Sequence, residues 1–162
     1  MIKIVTDSAA DLPKELIKKY NINVVPLTVK IDGVEYREGV DISNEEFQIK
    51  MLNSKELPKT SQPSPAIFSN IFKKLSQEGH VLCLTLSSKL SGTFQSANIA
   101  KSICELDVEI FDTLAGSLGQ GLQVLKAAEL ASKGFSVSEI IERLKDYRKE
   151  MNILILLDTL EI

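Results

Sequence analysis

The chain has 162 residues and a mass of 17.9 kDa, with 44% hydrophobic, 25% charged and 6% aromatic residues. Such a composition excludes a disordered tail, a collagen-like repeat and a disulfide-stapled mini-protein, and a single domain of this size buries about 69% of its extended surface. Nineteen Lys and Arg against 22 Asp and Glu give a net charge of -3 and a pI near 5.3, without the clustered base that nucleic acid or an anionic membrane demands.

In chain order, short apolar runs alternate with longer segments of helical period. Residues 2–6 read as a strand. A helix over 12–20 follows, with Asp11 as its expected N-cap, Pro13 in its first turn and Leu12, Leu16, Ile17 and Tyr20 on one face. Residues 23–31 are β-rich, and Asp32-Gly33 predicts a hairpin turn into 34–37. Ser43 and Glu46 have capping-box spacing ahead of a helix over 44–53. Residues 54–65 form the one long irregular stretch. Ser64-Pro65 then opens a helix whose core face is Ile67, Phe68, Ile71, Phe72 and Leu75, stopped at Gly79. A buried strand is expected at 81–86, a helix at 93–104, a strand at 108–111 and a helix at 118–132 closed by Gly134. Ser136 and Glu139 repeat the capping box before a helix with Ile140, Ile141, Leu144 and Tyr147 inward. Residues 152–157 read as a last strand.

This alternation predicts an α/β fold, a three-layer α/β/α arrangement around a mainly parallel, Rossmann-like sheet. The N-terminus has no basic region, sustained apolar stretch or cleavage site, and the longest aliphatic run, residues 153–157, is far too short to span a bilayer. A cytoplasmic protein without stable membrane insertion is expected. Cys83 and Cys104 lie in apolar surroundings without metal-binding spacing and read as small buried hydrophobes. The ending, Asp158-Thr159-Leu160-Glu161-Ile162, lacks capping chemistry and reads as that of a fragment.

Parallel α/β sheets bind ligands beyond the carboxyl ends of their strands, so the residues following each strand are the informative ones. After the first strand come Thr6, Asp7 and Ser8. After the strand at 81–86 come Ser87, Ser88, Ser91 and Thr93. After the strand at 108–111 come Asp112, Thr113 and Ser117, and the proline-rich loop adds Thr60, Ser61, Gln62 and Ser64. Four loops of hydroxyls with almost no cation suit a small anion, a carboxylate or a phosphate, held at helix N-termini. The helix after Gly92 is the best candidate, because Gly92 lets a ligand approach the backbone while Ser91 and Thr93 add donors. Against this stands the ordinary use of Ser and Thr as N-caps.

Enzymatic readings fit less well. Ala115-Gly116-Ser117-Leu118-Gly119 is not a nucleophile elbow, and His80 stands at the start of its strand, away from the hydroxyls. Gly116, Gly119 and Gly121 match neither a dinucleotide fingerprint nor a P-loop. Asp7 and Asp112 form either a metal or acid/base pair or, more commonly, two turn caps. No catalytic residue, cofactor or metal cluster is assigned.

Four segments carry a resemblance to the DegV family of bacterial lipid-binding proteins. They are Val5-Thr6-Asp7-Ser8-Ala9-Ala10-Asp11-Leu12-Pro13, Lys59-Thr60-Ser61-Gln62-Pro63-Ser64-Pro65, Ser87-Ser88-Lys89-Leu90-Ser91-Gly92-Thr93-Phe94-Gln95-Ser96-Ala97, and Asp112-Thr113-Leu114-Ala115-Gly116-Ser117-Leu118-Gly119-Gln120-Gly121. The resemblance implies a carrier, not a catalyst, that holds one long-chain fatty acid such as palmitate or stearate. It implies presentation of that acid to a fatty-acid kinase subunit, which forms an acyl phosphate for phospholipid synthesis. By motif position it puts the carboxylate on Thr60 and Ser91, with Ser61, Gly92, Thr93, Ser8 and Ser117 as weaker candidates. Thr113 stands where the family commonly has Ser, which keeps the hydroxyl. Family members run to about 280 residues in two domains. Residues 1–162 thus resemble the N-terminal domain, with the C-terminal, lipid-enclosing domain missing as a partner. Burying the tail at about 0.8 kcal/mol per methylene supplies on the order of 10 kcal/mol before association losses, provided that the carboxylate is hydrogen-bonded. The alternatives are an enzyme that uses the same crevice for a phosphorylated or carboxylated small molecule, and a purely structural interaction domain.

Overall fold

A computed structural model describes residues 1–104 and 106–154. Strand β1 (Ile2–Asp7) leads through a short 3-10 turn (Ser8–Ala10) into α1 (Lys14–Tyr20) and β2 (Asn23–Val25). Next come β3 (Thr28–Ile31), β4 (Val34–Arg37), α2 (Asn44–Asn53), β5 (Lys59–Ser61) and α3 (Pro65–Ser76). The chain then alternates as β6 (His80–Thr85), α4 (Thr93–Cys104), β7 (Val108–Asp112), α5 (Ser117–Ser132) and α6 (Val137–Glu150). The strands form a parallel sheet in the order β2-β1-β6-β7 and a separate antiparallel sheet in the order β4-β3-β5.

The three-layer α/β/α expectation holds for the parallel sheet. Strand β6 displays its logic, since alternate side chains leave opposite faces. Leu82 and Leu84 enter one core with Phe111, Val124, Ala127, Ile140 and Leu144, against which Ile17 and Tyr20 also pack. Val81 and Cys83 enter the other with Val5, Val108, Phe68, Phe72, Ala97 and Ala100. A strand apolar on both faces requires cover on both, which is why His80–Thr85 reads as a continuous run. Burial pushes the Cys83 thiol well above its ordinary value, with the nearby Asp7 charge adding to the rise. Val29, Ile31 and Ile42 make a small third core beneath the antiparallel sheet.

Both capping boxes form, Ser43 with Glu46 and Ser136 with Glu139. Asp11 differs from its expected role. It adopts a left-handed backbone (φ 49°) that closes the 3-10 turn, and α1 starts after Pro13 without a side-chain cap. The irregular stretch also contains a strand, because β5 pairs with β3 and sets Thr60 opposite Val29. Residues 152–154 hold no strand, and the rest of the strand expected at 152–157 lies outside the described residues. Gly121 lets α5 meet the 3-10 turn, since a Cβ there would fall 2.6 Å from the Ala10 carbonyl oxygen. Among the described residues, no helix is long and apolar enough to cross a membrane.

Candidate functional site

Connections from β1 run to β2 on one side of the parallel sheet, and those from β6 run to β7 on the other. The switch point therefore falls between the carboxyl ends of β1 and β6, where a crevice opens in sheets of this kind. The loop after β6 is held there by its neighbours. Leu86 N donates to Asp7 Oδ2 at 2.7 Å, Ser87 N to the Ala115 carbonyl at 2.9 Å, and Ser88 N to Asp112 Oδ1 at 3.2 Å. Asp112 also accepts from Leu114 N at 3.0 Å. Both aspartates thus cap turns and knit adjacent loops together.

Asp7 is completely buried. Its Oδ1 accepts from Ala9 N at 3.1 Å and from Gln120 Nε2 at 3.0 Å, while Gln120 Nε2 also reaches Thr6 Oγ1 at 3.1 Å. Burial raises the Asp7 carboxyl above the ordinary aspartate value, and the hydrogen bonds from Gln120, Leu86 and Ala9 only partly oppose that rise.

Beside this knot lies a cleft of about 460 Å³, lined by Leu27, Thr60, Ser61, Gln62, Leu86, Leu90, Ser91 and Gly92. Thr60 and Ser61 come from β5 of the antiparallel sheet, and Ser91 and Gly92 lead into α4. None of the lining residues is charged. Four of the seven expected site residues, Thr60, Ser61, Ser91 and Gly92, therefore share one concavity. Thr93 is buried just behind Ser91, their hydroxyls 2.9 Å apart, and Thr93 N donates to Ser91 Oγ at 3.3 Å. Ser8 stands one layer back. Its hydroxyl accepts from Leu27 N at 2.9 Å and donates to Glu38 Oε2 at 2.6 Å, so it shapes the cleft through Leu27. Ser117 lies elsewhere, exposed at the first position of α5 with φ 48°.

Chemically, the cleft offers hydroxyl donors and a helix N-terminus above the apolar surfaces of Leu27, Leu86 and Leu90, suited to a group with a small anionic head and an apolar body. His80 is remote from it, exposed at the amino end of β6 and 2.9 Å from Asp107. Among the described residues, no three His, Cys, Asp or Glu side chains are grouped to hold a metal ion. The lining residues that sequence reasoning did not name are Leu27, Leu86 and Leu90, and Gln62 was named with its loop but not assigned to the ligand. Gln62 had a signal, as the one amide in the hydroxyl-rich proline loop. The leucines had none, since their place depends on how two sheets meet.

The model of the DegV family, described as "Uncharacterised protein, DegV family", matches residues 1–162. The chain belongs to the DegV family. A DegV domain-containing protein of Caldanaerobacter subterraneus subsp. tengcongensis is 42% identical over 162 residues, which cover 99% of this chain and 58% of the relative. Two solved structures are similar to the fold. One is a fatty-acid-binding DegV family protein from Thermus thermophilus, 41% identical with a TM-score of 0.83, covering 91% of this chain and 53% of that one. The other is a stearic-acid-binding protein from Eubacterium ventriosum, 33% identical with a TM-score of 0.84, covering 90% of this chain and 52% of that one. This DegV chain spans little more than half the length of these relatives.

Proposed function

We propose that this DegV chain supplies the head-group side of a fatty-acid site, with Thr60 and Ser91 holding the carboxylate and Ser61, Gly92 and Thr93 completing the polar rim. The observation that carries this reading is the meeting of Thr60 and Ser91, 31 residues apart and on different substructures, in one uncharged cleft. An acid placed there receives neutral hydroxyl donors and the partial positive charge of the α4 N-terminus, which together offset the loss of carboxylate hydration. The fatty-acid-binding relatives support the same ligand class. Leu27, Leu86 and Leu90 would meet the first methylenes, and a second domain, matching the further length of the relatives, would enclose the tail. In this reading the protein is a non-catalytic cytoplasmic carrier, and a fatty-acid kinase converts the presented acid to its acyl phosphate.

The test is a stearic acid titration of the full-length gene product. Ser91→Ala is expected to weaken binding by about tenfold, the equivalent of one lost hydrogen bond to a charged group, in a protein that stays folded with a modestly lower unfolding midpoint, because Thr93 N and the buried Thr93 hydroxyl lose their Ser91 Oγ partner. Affinity equal to that of the wild type would remove Ser91 from the site.

A further inference from the structure

The two walls of the cleft belong to different hydrogen-bonded systems. Strand β5 is a three-residue edge strand, tied through its ladder to β3 and through no ladder to α4. Short edge strands are weakly fixed by themselves. Among the described residues, one side-chain hydrogen bond spans the gap. Gln62, exposed and immediately after β5, donates from Nε2 to Ser96 Oγ at 3.2 Å, and Ser96 is 2% exposed in the first turn of α4. The same amide lies flat against Gly92, where an added Cβ would fall 2.7 Å from both Cδ and Nε2 of Gln62. Gly92 is absent from the positive-φ residues, so what glycine supplies here is room, not conformation. The expected approach of a ligand to the Gly92 backbone is thus preceded by an approach of the protein's own amide.

We propose that Gln62 is a positioning residue that staples β5 to the N-terminal turn of α4 and thereby sets the spacing between Thr60 and Ser91. The proposal rests on the reading that these two hydroxyls share one carboxylate. Two donors that grip one small anion must be held within about 0.5 Å of the productive geometry, and this link is the side-chain bridge between their elements. Gly92 belongs to the same device, because any β-carbon evicts the amide.

Stearic acid titrations and thermal unfolding of the full-length gene product test this in Gln62→Ala, Gly92→Ala, Ser96→Ala and the double variant Gln62→Ala/Ser96→Ala. Gln62→Ala and Gly92→Ala are each expected to raise Kd by about tenfold with Tm unchanged. The double variant is expected to bind like Gln62→Ala alone, since both changes cut one link. Wild-type affinity in Gln62→Ala, alongside a loss in Ser91→Ala, would overturn the staple and leave the head-group reading standing. Wild-type affinity in both would overturn the two together. A fall in Tm that tracks the affinity loss, with additive effects in the double variant, would reduce Gln62 to a general structural contact and equally overturn the proposal.

Discussion

Phe72→Ala is expected to lower the unfolding free energy by about 3–5 kcal/mol, the range for emptying a buried aromatic site. Phe72 is fully buried on α3 and packs against Phe68 with ring centroids 5.7 Å apart and planes tilted by 41°. Around the pair stand Val5, Val81 and Cys83 from the sheet and Ala97 and Ala100 from α4. The small residues on α4 let that helix sit close, and they leave nothing large enough to fill the space of a missing ring. Ile67, on the same helix but 36% exposed, provides the control, and Ile67→Ala is expected to cost less than about half as much. Urea denaturation of both variants measures the difference. Equal small losses would mean that α3 does not seal this face of the sheet.

Asp7→Leu is the second large effect, expected to cost about 2–4 kcal/mol. The substitution leaves the amides of Ala9 and Leu86 facing hydrocarbon and Gln120 Nε2 with Thr6 Oγ1 as its remaining partner, and each lost acceptor carries a desolvation penalty. The near-isosteric leucine separates lost hydrogen bonding from lost volume. Asp7→Asn should fall between, because its oxygen still accepts while its amide nitrogen meets a donor.

The raised Asp7 carboxyl gives this network a pH signature of definite sign. Well below the ordinary value of 3.8, the group is protonated in the folded and unfolded chain alike. As pH rises, the unfolded chain ionises first, and stability is lost until the folded carboxyl has also ionised. The stability advantage of wild type over Asp7→Asn should therefore shrink as pH climbs from 3.8 through the raised folded value. Exposed carboxyls act in the opposite direction. Hydrogen bonds from Arg37 hold Asp41 at about 2, and Glu46, Glu78, Glu129 and Glu139 are lowered by their own partners. These contributions are common to both variants and cancel in the difference. Denaturation curves at several pH values that diverge with increasing pH would contradict the assignment.

The legibility of this chain follows from which forces are local. Capping boxes at Ser43 and Ser136 and the alternating faces of β6 are written within a few residues, so they could be read directly. Asp11 misled because its N-cap chemistry looks the same whether it opens a helix or closes a 3-10 turn in the left-handed region. Strand β5 was hidden because Lys59, Thr60 and Ser61 are all exposed and have no apolar alternation to reveal them, only a ladder to a distant β3. Of the cleft's hydroxyls, the rule for carboxyl ends led to Ser91, whereas Thr60 and Ser61 were visible only as part of the proline-rich loop. Ser117 obeys the same rule yet is exposed at the head of α5 and is not among the residues that line the cleft. Gln120 entered the sequence reading only within the fourth resemblance segment, and Gln123 not at all. They are in fact fully buried, Gln120 braced on Asp7 and Gln123 donating to the Thr113 and Gly119 carbonyls.

The most direct test of the account is a crystal structure of the full-length gene product with stearate bound. The account predicts the carboxylate within hydrogen-bond reach of both Thr60 Oγ1 and Ser91 Oγ, with the first methylenes against Leu27, Leu86 and Leu90. A head group lying out of reach of these two hydroxyls, or methylenes filling the cleft in its place, would contradict it.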